Sequence, residues 1–218
     1  LTLAGVVALP AFAADLSTSD MTGVSFWIVT AAMLAATVFF FVERDRVNGK
    51  WKTSLSVAGL VTGVAFWHYL YMRGVWADTG TSPTVYRYID WLITVPLQII
   101  EFYLILKVCT NVTSGLFWKL LVASLVMLIF GFIGETGGMD ANIAGVLAVI
   151  AWVYIIYEVF FGEAGQLNAA SGNAAAQSAF NTIRWIVTVG WAIYPIGYWA
   201  GVGDNPDMAG ANLIYNYA

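Results

Sequence analysis

Long apolar runs separated by short polar breaks organise this chain. The runs predict membrane helices over 23–41, 55–75, 84–107, 116–133, 141–161 and 179–200, each near the roughly 20 residues that a helix needs to cross a hydrocarbon core. The breaks read as ends and turns. Ser17-Thr-Ser-Asp20 supplies capping chemistry ahead of the first run. The segment 43–52 is short and basic, which predicts the cytoplasmic side. Residues 76–83 form a turn cluster, placed outside by alternation and long enough for a small hairpin, and 134–138 is a second outside turn. Residues 162–177, rich in Gly, Ala, Asn and Ser, read as a loop, as do 201–207. After them 208–218 begins like another helix, too short to span a bilayer. The expectation is an all-α membrane protein, a seven-transmembrane-helix bundle with six complete helices and the start of a seventh in one domain, 15–218. Ahead of it, the apolar run of 1–9, Pro10 and Ala11-Phe-Ala13-Ala14 read as a signal peptide remnant over 1–14; an ordinary apolar tail is the alternative.

Composition agrees with the pattern. Of the 218 residues 60% are hydrophobic and 10% charged, against about 25% charged in a soluble domain. A net charge of −4 argues against nucleic acid as a partner, and the bilayer is the expected one. The one His and one Cys exclude a zinc site and an internal disulfide. Phosphate-cradling and dinucleotide glycine motifs are absent, and the only His lies in a predicted membrane helix. The reading is therefore not an enzyme of the hydrolytic or nucleotide kind.

The third run changes the picture. In Arg87-Tyr-Ile-Asp90-Trp-Leu-Ile-Thr94-Val-Pro96-Leu-Gln98-Ile-Ile-Glu101 the five polar residues Arg87, Asp90, Thr94, Gln98 and Glu101 share one helical stripe, roughly 80° wide at 100° per residue. An ionisable group at the centre of a membrane helix costs about 3 kcal/mol even on mild scales and usually marks a route for ions or protons. Asp90 and Glu101 are eleven residues apart, roughly 16 Å along the axis. A polar stripe can also be glue between helices, but glue is normally Ser, Thr, Asn or Gln. Two acids with one base leave a charge unpaired, which favours two stations of a proton path. Pro96 is a kink candidate inside this helix.

These residues carry a resemblance. The run 87–101 closely resembles the third helix of microbial rhodopsins, specifically the proteorhodopsins. Trp191-Ala-Ile-Tyr194-Pro195 resembles their sixth helix, and Phe66-Trp67-His68-Tyr69 their second. The resemblance implies retinal (all-trans), bound as a Schiff base to a seventh-helix lysine. The four lysines here, Lys50, Lys52, Lys107 and Lys119, fall in loops or at helix ends, so that lysine is expected beyond Ala218. The resemblance further implies a light-driven outward proton pump, a transporter rather than an enzyme. Asp90 would be counterion and proton acceptor, Arg87 its basic partner, Thr94 a hydrogen-bonding neighbour and Glu101 the proton donor. Trp91, Trp152, Trp191, Tyr194 and Pro195 would wall the chromophore. Gln98 would tune its colour toward blue. His68 would pair with Asp90, although a lone buried His is more often a satisfied core residue. The setting implied is a bacterial plasma membrane, crossed several times with the N-terminus outside, and a homo-oligomer. A photosensory rhodopsin of the same fold, signalling to a partner, is the alternative; a non-retinal six-helix channel is a third.

Overall fold

Residues 17–218 are described by a computed structural model. The expected signal peptide remnant lies outside the described residues. Three aspartates start helices. Asp20 accepts from the Gly23 amide at 2.9 Å to open α1 (Met21–Glu43). Its other oxygen takes the Trp76 indole N–H at 2.9 Å, tying that end to α2 (Trp51–Thr79). Asp140 caps α5 (Ala141–Phe160) through the amides of Asn142 and Ile143. Such a cap satisfies amides that would otherwise lack partners at a helix start. Between them run α3 (Thr84–Cys109) and α4 (Ser114–Glu135).

Among the described residues five stretches are long and apolar enough to cross a membrane, the fifth being 141–170. Their outer faces carry exposed Trp67, Ile129 and Ile150, as lipid contact requires. α3 is the central rod. It packs on α2 and α4, and its apolar face enters a core in which Phe102 meets Phe180 edge-on at 5.0 Å. It runs through Pro96 without interruption.

Three expectations are corrected. No strand or hairpin forms in 76–83: α2 continues to Thr79 and stops where Gly80 turns at φ 64°, a conformation that glycine adopts freely. The stretch 162–177 is not a plain loop. It holds α6 (Glu163–Ala170) and the first turn of α7 (Ala174–Trp185), because Asn173 caps α7 and the Asn168 amide reaches Asn181 at 3.2 Å. The sixth helix is not one rod. After α7 come a π-turn, Ile186–Gly190, and then α8 (Ile193–Gly201). The Trp191 amide bonds the Ile186 carbonyl five residues back, at 3.3 Å. Pro195 has no N–H to give to the preceding turn. Trp152 of α5 donates its indole N–H to the Val187 carbonyl inside the π-turn at 3.1 Å. α9 (Met208–Tyr217), capped by Asp207, packs on both α8 and α1 and closes the ring of helices.

Candidate functional site

The polar stripe of α3 faces inward, as its periodicity requires, and its members meet different surroundings. Arg87 is fully buried, close to the N-terminal end of α3. Its guanidinium donates to Asn212 Oδ1 at 2.7 Å and Asn216 Oδ1 at 3.3 Å, both on α9. The rings of Tyr215 (4.9 Å) and Phe26 (5.6 Å) flank it. A delocalised, weakly hydrated guanidinium suits such a shell of amides and aromatic faces. Asn216 passes the network on to Ser25 of α1 at 2.8 Å.

One turn along, Asp90 is 2% exposed. Its Oδ1 lies 3.5 Å from His68 Nδ1 of α2, and no hydrogen-bond donor among the described residues satisfies that oxygen. The same His68 nitrogen is 2.9 Å from the Val64 carbonyl. That carbonyl is the better acceptor by distance, so the imidazole sits close to Asp90 without a full hydrogen bond to it. Thr94 donates to the main-chain carbonyl of Asp90 at 3.0 Å, not to its carboxylate.

The open side of Asp90 faces a cavity of about 480 Å³, within the range of small-molecule sites. Asp90, Trp91, Thr94 and Gln98 line it from α3, and Trp152 from α5. Trp191, Tyr194 and Pro195 line it from the sixth helix. The five residues expected to wall a chromophore and Gln98, expected to tune it, therefore meet in one cavity. His68 does not line it and approaches Asp90 from behind. The aromatic walls interlock: Trp91 sits edge-on to Tyr194 at 5.0 Å and to Tyr215 at 5.6 Å. Tyr215 was not singled out from the sequence; nor was Tyr88, another lining residue.

Glu101 lies outside this cavity, on the same stripe but further along α3. It is 7% exposed. Its Oε2 accepts a bond from Ser54 Oγ of α2, and its Oε1 has no partner among the described residues. Its α3 neighbours Phe102 and Ile105 belong to the apolar core.

A third carboxylate belongs to the opposite end. Glu135, the last residue of α4, accepts from Thr84 Oγ1 (3.0 Å), Tyr88 Oη (3.0 Å) and Tyr215 Oη (3.4 Å). In the sequence it is one residue of a turn, and no local signal marks it. Among the described residues no three His, Cys, Asp or Glu side chains converge on a metal-sized site.

Comparison with known proteins gives this arrangement its family. The model of the bacteriorhodopsin-like protein family matches residues 20–218. The green-light absorbing proteorhodopsin of Gamma-proteobacterium EBAC31A08 is 62% identical over 223 residues, spanning 100% of this chain and 89% of that protein. The blue-light absorbing proteorhodopsin of Gamma-proteobacterium Hot 75m4 is 58% identical over 224 residues, with the same coverage. The crystal structure of a blue light-absorbing proteorhodopsin from Med12 is similar at a TM-score of 0.78 and 63% identity, covering 89% of this chain and 88% of that one. With matches along essentially its whole described length, the chain belongs to the bacteriorhodopsin-like protein family, among the proteorhodopsins.

Proposed function

We propose that this chain is a light-driven outward proton pump that uses a retinal chromophore. The observation that carries the reading is the placement of two buried carboxylates on one face of α3. Asp90 opens on the aromatic cavity with an unsatisfied oxygen, and Glu101 is buried among apolar residues further along the helix. The cavity suits retinal chemically. A long polyene with one cationic end needs apolar and aromatic walls and a single uncompensated acceptor. Trp91, Trp152, Trp191, Tyr194 and Pro195 supply the walls, and Asp90 Oδ1 supplies the acceptor. When bound, retinal supplies absorption of visible light and a titratable proton at its charged end.

The protein's own groups do the rest. Asp90 takes up a proton at its carboxylate, while the buried Arg87 one turn away stays on its amide partners Asn212 and Asn216. Glu101 holds a proton in the apolar half, steadied by Ser54, and gives it up later toward the cavity. Thr94 fixes the α3 backbone at Asp90, and His68 adds a titratable contact behind it. Gln98 places a polar amide beside the chromophore, which favours the ground-state charge distribution and so blue absorption. The basic residues Arg44, Arg46 and Lys50 between α1 and α2, with Lys52 in the first turn of α2, favour a cytoplasmic side for that turn, hence the N-terminus outside, in a multi-pass protein of a bacterial plasma membrane. A homo-oligomer belongs to the same reading; cross-linking in the membrane tests it.

Cells producing the full-length protein with retinal should acidify an unbuffered medium on illumination, and a protonophore should abolish the change. A coloured pigment that cycles in light but moves no proton would favour the photosensory alternative. The buried donor Glu101 supports the pump over the sensor, which needs no fast reprotonation.

A further inference from the structure

The proton path described so far ends at Asp90, still buried. Beyond Asp90, toward the N-terminal end of α3, a titratable carboxylate near solvent is bonded to residues of the cavity wall. Glu135 is half-buried, and the turn that follows it, 136–139, is exposed. Two of its three hydrogen-bond donors, Tyr88 and Tyr215, also line the cavity that Asp90 faces. Their hydroxyls bridge the cavity wall and the Glu135 carboxylate. We propose that Glu135 is the exit relay: it receives the proton that leaves Asp90 and delivers it to the outer solution. The assignment rests on the pump reading above.

The cage is built for both charge states. A hydroxyl can donate or accept. Facing a carboxylate, Thr84, Tyr88 and Tyr215 all donate. Facing a carboxylic acid, one hydroxyl oxygen accepts the new O–H while the others still donate. A carboxylate locked to a guanidinium lacks that freedom, since a guanidinium cannot accept. Arg87 stays one ring away, its Cζ 4.9 Å from the Tyr215 ring centre, and keeps its amide partners on α9. The other titratable groups facing Glu135 are Tyr88 of α3, Tyr198 of α8 and Tyr215 of α9. The transfer balances. The O–H bond on Asp90 breaks and one on a Glu135 oxygen forms, so one negative charge moves from Glu135 to Asp90 and the sum beside Arg87 is unchanged. The Glu135 O–H then gives its proton to water, and the carboxylate is restored.

The test uses the full-length, retinal-loaded protein in liposomes, a single flash, and a pH dye in the outer phase. Glu135→Gln should delay the appearance of the proton by about 10²-fold, the low end of what a placed proton-transfer group contributes. Its colour and the rate at which Asp90 becomes protonated should stay as in the wild type. Glu135→Asp should restore most of the rate, and azide, a small weak acid, should speed the Gln variant; a structural role predicts neither. Wild-type timing in Glu135→Gln overturns the relay. If that variant yields no pigment, Thr84→Val, which removes one donor from the same carboxylate, should slow release several-fold, and unchanged release then overturns it. A wild-type protein that moves no proton overturns the pump reading, and the relay with it.

Discussion

Asp90 and Glu101 are the same chemistry on the same face of one helix, both almost fully buried, yet their neighbourhoods differ. Asp90 has an aromatic cavity on one side, an imidazole at 3.5 Å on the other and a guanidinium one turn away. Glu101 has one hydroxyl and apolar side chains, with no ionic partner among the described residues. In the proposed pump, the two carboxyls would take different tasks from their surroundings rather than from their place on the helix. A carboxyl with polar groups and an open cavity beside it is placed to exchange a proton with whatever fills that cavity. An apolar layer favours the neutral form that can give.

The comparison can be broken from either side. The largest effect is expected from Asp90→Asn, which removes the acceptor: light-driven acidification should vanish, and residual acidification under the same light would end the assignment. Next comes Glu101→Gln. Late proton uptake should slow by about 10²-fold while the visible colour stays the same, because Glu101 lies outside the cavity; flash spectroscopy reads both quantities at once. A smaller effect, on colour alone, is expected from Gln98→Leu. Its absorption should move toward green while pumping continues, and a spectrum that stays in place, taken at a pH where Asp90 is ionised in both proteins, would separate Gln98 from the chromophore. The smallest change should come from His68→Ala. Acidification should protonate Asp90, remove a negative charge beside the proposed chromophore and shift the colour red; the substitution should displace the midpoint of that shift. A midpoint that stays where it was would leave His68 a packing residue.

Most of the bundle was legible in the sequence because membrane helices are set by local apolarity and a 3.6-residue period. Both properties survive in a single run such as 84–107, and the inward face of α3 follows from them. What could not be read depends on distant partners. Ser54 is an unremarkable residue near the start of α2 until packing brings it to Glu101. Asn212 and Asn216 read as polar interruptions of a helix start, and only the closing of α9 onto α3 makes them the seat of Arg87. The break in the sixth helix had no local signature beyond Pro195, since a π-turn gains its stability from a tertiary donor, here the Trp152 indole. Residues 162–177 show the opposite error: a composition of small and polar residues hid a short helix, α6, and the start of α7, which Asn173 caps.

The π-turn at Ile186–Gly190 also bears on how this protein tolerates changes in length. A π-turn holds an extra residue within one helical turn, so it acts as a phase shifter between two halves of one span. Before it, Ala176 and Phe180 point into the packed core; after it, Trp191, Tyr194 and Pro195 point into the cavity. Deleting one residue there would restore regular winding and leave the span almost as long. It would also rotate the second half by about 100° relative to the first and swing those three residues off the wall. For this helix, substitutions at many outward positions should be mild, and a single-residue deletion in 186–190 should erase the pocket while leaving a membrane-spanning helix in place.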